Sequence, residues 1–308
     1  MQKLVAPELL ARLRTLEGFL RANILGQDEP ISEMVALLQR SLLHLRFPSR
    51  PVASMLLLGP TGVGKTETAL LFTEYLFGVE KLVRLDMSEF MNQSSLAILV
   101  GDRVGERGLF GHYYDRSGGC GTLLFDEIEK AHPLVMDIFL QILSAGRFTL
   151  ANGETLDLTN YVVVATTNIG SRLLMESRRT DRETLIRRTL QAGTQDLRPE
   201  TFARFDLHCV FNKLGYEVLK EIAAVHLDKT LGLINSQSHS VRCESGVLEY
   251  LQREGYSEKF GARPMQNAAM RTVGELVAQA MLCDSGRPIK GAIAYDKEQN
   301  RCFLRSGA

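Results

Sequence analysis

Residues Gly59 to Thr66 read GPTGVGKT, directly after the apolar run Met55-Leu56-Leu57-Leu58 and directly before the helix-forming stretch Glu67-Thr68-Ala69-Leu70-Leu71. A strand, a glycine-rich turn and a helix start, in that order, restrict the fold more than any other feature of the chain. They call for a parallel α/β sheet with a phosphate-binding loop. Gly59, Gly62 and Gly64 accept backbone conformations closed to residues with a Cβ, so successive N–H groups can turn inward around phosphate oxygens. Pro60, Thr61 and Val63 complete the turn, and the helix that starts near Lys65 adds its positive dipole end. Lys65 is then placed to reach the β- and γ-phosphates, and the Thr66 hydroxyl to ligate Mg²⁺. The expectation is a nucleoside triphosphate site.

Further short apolar runs follow the loop. They are Leu82-Val83-Arg84-Leu85-Asp86, Thr122-Leu123-Leu124-Phe125-Asp126, Tyr161-Val162-Val163-Val164-Ala165-Thr166 and Leu207-His208-Cys209-Val210-Phe211. Their near-continuous hydrophobicity predicts buried parallel strands with helices between them, and so an α/β P-loop sheet flanked by helices. Helical periodicity over residues 7–22 and 29–46 predicts a lead-in before the sheet, broken by Phe47-Pro48-Ser49-Arg50-Pro51. After Phe211 the pattern changes to helices near 215–234, 245–254 and 264–284, with a short β-like tail from Ala292 to Leu304. This predicts a large ATPase domain over 1–211 (with the helical lead-in 1–50) and a smaller, mostly helical C-terminal domain over 212–308. At 308 residues the chain suits about two domains of about 100–200 residues each.

Composition excludes little but orders the alternatives. Lys+Arg and Asp+Glu both number 36, so the formal charge is zero and nothing global points to nucleic acid or an anionic membrane. The five cysteines are scattered without a CxxC pair, which argues for reduced thiols rather than a metal site or disulfides. No apolar run approaches the roughly 18 residues needed to span a bilayer, and no signal peptide is present at the start. A cytoplasmic protein is expected.

The second nucleotide motif is Leu123-Leu124-Phe125-Asp126-Glu127, an apolar strand that ends in two acids. In P-loop enzymes the first such acid, here Asp126, serves the Mg²⁺ shell, and the neighbouring Glu127 is placed to activate the attacking water. A third buried strand ends in Thr166-Thr167-Asn168, where Asn168 could hydrogen-bond the γ-phosphate or the lytic water. An asparagine after a strand is also a common turn former.

With these residues in place, the chain resembles the second ATPase module of the Clp/ClpB-type AAA+ ATPases, the protein disaggregases and unfoldases. The matching segments are ILGQDEPI (Ile24–Ile31), GPTGVGKTETA (Gly59–Ala69), LDMSEFM (Leu85–Met91), LLFDEIEKAHP (Leu123–Pro133), TTNIGS (Thr166–Ser171), LRPETFARFD (Leu197–Asp206) and GYSEKFGARP (Gly255–Pro264). They run in family order over almost the whole chain. The resemblance implies ATP hydrolysis with Mg²⁺ and ADP as product, with Asn168 as sensor 1. It also implies Ile24 and Leu25 over the adenine, Arg204 as an arginine finger acting on a neighbouring subunit's nucleotide, and Arg263 as the sensor-2 arginine. A homo-hexameric ring that remodels a protein client or adaptor follows from the same resemblance.

The chain departs from that family at the substrate-gripping pore loop. The nearest alignment to GYVG is Gly108-Leu109-Phe110-Gly111, which leaves Leu109 where the gripping tyrosine belongs. Either Phe110, Tyr113 or Tyr114 serves a modified pore loop, or these aromatics pack locally. No N-terminal substrate domain, first ATPase module or coiled-coil middle domain fits before the P-loop strand. Between Ser171 and Leu197 there is no IGF- or IGL-like tripeptide, which argues against partnership with a ClpP-type peptidase. Charges at Arg178, Arg179, Asp181, Arg182, Glu183, Arg187 and Arg188 stand there instead, as a solvated helix face or a partner site. Two further functions remain open alongside remodelling: a nucleotide-switched assembly factor that does not thread substrate, and a DNA-associated ATPase.

Overall fold

The computed structural model of the chain describes residues 6–101, 105–171, 199–257, 260–284 and 286–306. Cα packing divides the chain into two compact units, Met1–Pro60 with Gly64–Lys213, and Thr61–Val63 with Leu214–Ala308. The charged run from Arg178 to Arg188 and the segment searched for a peptidase-docking tripeptide lie outside the described residues, as do Leu197, Arg198, Glu258 and Lys259 of the family segments.

In the first unit, helices α1 (Pro7–Asn23) and α2 (Asp28–Leu42) precede the sheet. α2 stops short of the periodicity read from the sequence, which runs to 46. His44 takes a left-handed conformation (φ 65°) and the Leu45 N–H turns back to the Arg40 carbonyl at 3.0 Å, which satisfies a terminal carbonyl and ends the helix.

The sheet holds β1 (Ala53–Leu58), β2 (Leu82–Asp86), β3 (Gly121–Asp126), β6 (Tyr161–Thr167) and β7 (Leu207–Val210), in the order β2-β3-β6-β1-β7. All neighbours are parallel. β1, β3 and β6 are buried at every position, which is why they read as unbroken apolar runs rather than alternating ones. The register pairs Leu58 with Thr167 and Phe125 with Ala165. Gly59, Glu127 and Asn168 therefore leave the sheet at one edge, the carboxyl edge where ligands of open α/β sheets bind. Helix α3 (Lys65–Leu76) follows the β1 turn directly.

Helices α4 (Gln93–Val100), α5 (Gly108–Ser117) and α6 (Pro133–Ala145) cover the sheet. A two-stranded hairpin, β4 (Arg147–Thr149) with β5 (Thr155–Asp157), follows α6. In one large core cluster Leu56, Leu123, Phe125, Phe139, Phe148, Tyr161 and Val163 meet Phe110 from α5.

The second unit is mostly helical, with helices Tyr216–Asn235, Ser245–Glu254, Met265–Ala269 and Glu275–Cys283. A π-helical turn, Met270–Gly274, joins the last two. Its small sheet has the order β10-β9-β8, from β8 (Ser240–Cys243), β9 (Lys290–Asp296) and β10 (Arg301–Ser306). The helices and the β tail match the sequence pattern; β8 was not expected from it. Among the described residues, no helix is long and apolar enough to cross a membrane.

Candidate nucleotide site

The glycine turn has the backbone its sequence demands. Gly59, Gly62 and Gly64 have φ of 151°, 74° and 104°, in the region that L side chains rarely adopt. At Gly59 a Cβ would also lie 2.7 Å from the Phe211 carbonyl oxygen, so the turn is closed to larger residues by space as well as by conformation. Pro60, Thr61, Gly62 and Val63 carry the chain round to Gly64, which caps α3 in a left-handed conformation. The first N–H groups of α3 have no intrahelical acceptors.

Lys65, the first residue of α3, is buried, and its ammonium donates to the Gly59 and Pro60 carbonyls at 2.6 and 2.7 Å and to Asn168 Oδ1 at 3.0 Å. One step on, the Thr66 hydroxyl donates to Asp126 Oδ1 at 2.9 Å. The loop lysine and threonine are thus tied to the ends of two other strands.

Asp126 ends β3 with its side chain almost fully covered. Oδ1 also accepts the Thr166 hydroxyl at 2.6 Å, and Oδ2 pairs with Arg84 Nη2 at 2.7 Å. The Thr166 oxygen in turn accepts the Glu127 N–H at 3.0 Å. That bond helps hold Glu127 at φ 56°, a conformation that costs a non-glycine residue about 1–3 kcal/mol and is found at functional sites. Glu127 Oε1 accepts Asn168 Nδ2 at 3.3 Å, and Oε2 pairs with the Lys130 ammonium. The hydrogen bond to Glu127 raises the Lys130 pKa above its ordinary value. Glu129 Oε1 accepts the Asn168 backbone N–H at 3.0 Å, while its buried Oε2 has no partner among the described residues. Asp86, at the end of β2, is drawn upward by partial burial but held below the usual carboxylate range by the Ser88 hydroxyl and N–H.

Lys65, Thr66, Asp126, Glu127 and Asn168 therefore form one hydrogen-bonded constellation across three strand ends. Thr166, Arg84, Glu129 and Lys130 belong to it as well, and the sequence reading assigned none of them a role. Ile24 is buried in the turn between α1 and α2, and its Cγ2 lies 3.3 Å from where a Cβ at Gly64 would stand. Leu25 beside it is half-buried. The buried Gln27 amide fixes this turn by pairing with both backbone groups of Asn212, at 2.9 Å each.

Arg204 stands elsewhere. It is exposed, and its Nη1 donates to Ser144 Oγ on α6 at 2.6 Å. It does not pair with the nearby Asp206, whose Oδ2 accepts the Ser54 N–H and hydroxyl at 2.9 and 2.7 Å and whose Oδ1 faces Arg50 at 3.7 Å. Arg204 precedes β7, and β7 runs parallel to β1 with Met55 opposite Leu207. Arg204 is thus at the amino edge of the sheet and the glycine turn at the carboxyl edge. The strand from Ser54 to Gly59 alone spans about 17 Å at roughly 3.3 Å per residue. Arg263, in the second unit, is exposed just before Pro264, the N-cap of Met265–Ala269.

The segment aligned with a pore loop is corrected by the structure. Gly108–Ser117 is helix α5, not a loop. Phe110 is 1% exposed and packs on Phe148 with ring centroids 4.6 Å apart. Tyr114 packs towards Tyr161 at 6.0 Å, and Leu109 and Tyr113 lie against the same core. These aromatics pack locally, so Phe110 is a core residue and not a substrate grip.

Comparison with known proteins identifies the family and supports the fold. A family model described as AAA domain (Cdc48 subfamily) matches residues 50–208. A second, described as the C-terminal, D2-small domain of ClpB protein, matches residues 214–293. The chain belongs to the ClpB-type AAA ATPases. Among ClpB relatives, chaperone protein ClpB 2 of Nostoc sp. is 36% identical over 294 residues, which is 92% of this chain and 33% of that protein. Chaperone protein ClpB of Vibrio vulnificus is 34% identical over 285 residues, 91% of this chain and 33% of its own length. Among solved structures, Hsp104 in its closed state with ATPγS and FITC casein superposes with a TM-score of 0.85 at 26% identity, over 98% of this chain and 53% of that one. The S. cerevisiae Hsp104–ADP complex gives 0.83 at 27%, over 98% and 54%. The chain spans about a third of the length of the curated relatives it matches.

Proposed function

We propose that this chain is an ATP-hydrolysing remodelling module, in which Glu127 activates the attacking water and Arg204 completes the site of a neighbouring subunit. The observation that carries the reading is the joined constellation of Lys65, Thr66, Asp126, Glu127 and Asn168 at one sheet edge. The N–H groups at the α3 start and the Lys65 ammonium suit the β- and γ-phosphates of ATP. Glu127 Oε1 and Asn168 Nδ2 flank the place where a water would attack, with Glu127 as base and Asn168 as the orienting donor. Ile24 and Leu25 offer apolar cover for the adenine.

Mg²⁺ fits the residues present. Thr66 Oγ1 and Asp126 Oδ1 are hard oxygen donors already within hydrogen-bond distance. Among the described residues, no group of three or more His, Cys, Asp or Glu side chains could hold a metal by itself. That pattern suits an ion held by one or two protein groups plus substrate phosphates. Thr66 would ligate it and Asp126 would serve its shell, and the ion would neutralise charge on the phosphates.

The placement of Arg204 supports action in trans. It lies at the amino edge, beyond arginine reach of its own glycine turn, and it is exposed. An arginine finger supplied by a neighbour contributes about 10³–10⁵ in rate and makes hydrolysis depend on assembly. A homo-hexameric ring working in the cytoplasm on a protein client or adaptor fits this arrangement. The unit over 212–308 would act as the lid that carries the sensor arginine Arg263. A second reading, a nucleotide-switched assembly factor that does not thread, gains support from the packing of Phe110 and Tyr114 into the core.

Two single-site variants test the proposal. Glu127→Gln should bind ATP and hold assemblies together without turnover. Arg204→Ala should bind ATP with unchanged affinity yet lose hydrolysis. Normal turnover by Glu127→Gln would overturn the assignment of the base.

A further inference from the structure

His208 is a polar interruption in an otherwise apolar strand, the second residue of β7, opposite Leu56 of β1. An aliphatic side chain would fill such a strand position without bringing a polar ring into the sheet. The imidazole instead lies flat on Phe202, with ring centroids 4.1 Å apart and planes 8° from parallel, and meets Phe205 edge-on at 6.4 Å. Its Nε2 is 2.9 Å from the Phe202 carbonyl oxygen. A carbonyl only accepts, so Nε2 carries the proton and donates. Burial pushes the His208 pKa down, against the raising effect of that bond, so the ring stacks on Phe202 as the neutral imidazole.

Phe202 and Phe205 bracket Arg204. Both are buried, and the Phe202 carbonyl also accepts the Phe205 N–H at 3.3 Å, while the Arg204 N–H donates to the Thr201 carbonyl at 3.2 Å. Asp206, the next residue, is bolted to Ser54: its N–H donates to the Ser54 carbonyl and its carboxylate accepts the Ser54 N–H and hydroxyl. The turn that presents Arg204 is therefore clamped on its sheet side by one ring, through a stack, an edge contact and a hydrogen bond. The guanidinium is left at the surface against Ser144.

We propose that His208 is the positioning residue of the arginine finger: it holds the Thr201–Phe205 turn so that Arg204 projects at a fixed angle from the amino edge of the sheet. The proposal rests on the reading of Arg204 as acting in trans. Fixing the backbone on both sides of Arg204 removes freedom that the side chain would otherwise lose on meeting a neighbour's phosphate, and misplacement of such a group by about 1 Å can cost 10²-fold in rate.

The test compares wild type, His208→Leu, His208→Gln, Arg204→Ala and the double variant Arg204→Ala/His208→Leu. The measurements are steady-state ATP hydrolysis, ATP affinity by titration calorimetry on the full chain, and assembly by sedimentation velocity. His208→Leu should lower kcat roughly tenfold or more while KM for ATP and the assembly change little. His208→Gln, which keeps a donor for the Phe202 carbonyl, should regain part of that loss. The double variant should be no slower than Arg204→Ala. Wild-type kcat in an assembled His208→Leu protein would overturn the positioning role. So would losses of kcat, affinity and assembly that run in parallel in the Leu and Gln variants, since these mark a merely structural histidine. Wild-type turnover in Arg204→Ala would instead sink the finger reading on which the proposal stands.

Discussion

Thr166→Val is the most informative single perturbation of the site, because it removes one hydroxyl and little else. The Thr166 oxygen donates to Asp126 Oδ1 at 2.6 Å and accepts the Glu127 N–H at 3.0 Å, and the residue is 1% exposed. Loss of a hydrogen bond to a charged group costs about 1.5–3 kcal/mol, and a buried N–H left without its acceptor costs about 1–3 kcal/mol. The added methyl regains about 0.8 kcal/mol. The two losses share one hydroxyl and Asp126 keeps Thr66 and Arg84, so the net destabilisation should be about 2–4 kcal/mol. Catalysis should suffer more than binding. Glu127 sits at φ 56°, and without the Thr166 acceptor its backbone can relax by the roughly 1–3 kcal/mol that conformation stores. We expect kcat to fall at least about tenfold while ATP affinity changes less than about threefold. Urea unfolding without nucleotide, steady-state hydrolysis and calorimetric ATP titration read the three quantities. Thr73→Val is the control: its hydroxyl bonds Thr122 Oγ1 at 2.8 Å, a neutral pair on α3 and β3 outside the constellation. It should lose stability by about 1 kcal/mol with kcat intact. A Thr166→Val protein with stability within about 0.5 kcal/mol of wild type and unchanged kcat would refute the reasoning.

Phe110→Ala should destabilise the fold by about 3–5 kcal/mol, as expected for a fully buried phenylalanine; chemical denaturation would show it, and a change below about 1 kcal/mol would mean that the ring is not in the core. Glu129→Leu, which strips the acceptor from the Asn168 N–H, should lower kcat with little effect on ATP affinity, and Glu129→Gln should restore most of it; equal activity in both variants would remove Glu129 from the site. Gly59→Ala should lose ATP binding as well as stability, since its Cβ would meet the Phe211 carbonyl in a conformation that alanine avoids; calorimetry that finds wild-type affinity would contradict this.

Much of the sheet was legible because its signals are local. A phosphate loop, an acid pair after β3 and an asparagine after β6 each follow an unbroken apolar run, and a parallel sheet brings their strand ends to one edge whatever the details of packing. Thr166 and Arg84 escaped notice for the opposite reason. Their roles depend on β6 and β2 flanking β3, and nothing in either residue's own neighbourhood announces it. Glu129 needed knowledge that the short turn after Glu127 folds back towards Asn168. Of the two readings left open for the segment around Gly108–Gly111, pore loop or local packing, the sequence carried a signal for the second. Phe110, Tyr113, Tyr114 and Ser117 fall at i, i+3, i+4 and i+7, the spacing of a buried helical face, and weighing it would have favoured local packing over the motif match. Likewise Asn152-Gly153 is a strong turn signal for the hairpin of β4 and β5, and it went unread.

The central claim is that each hydrolytic site is completed by Arg204 of another subunit, and it is tested most directly by mixing two inactive variants. Glu127→Gln chains lack the base but present Arg204; Arg204→Ala chains lack the finger but keep the base. Each alone should turn over little ATP. When the two are mixed and allowed to reassemble, sites that pair an Arg204→Ala subunit with a Glu127→Gln neighbour regain both groups, so hydrolysis should reappear and peak at an intermediate ratio. Activity that stays at the sum of the two separate proteins at every ratio, in assemblies shown to contain both chains, would contradict the claim.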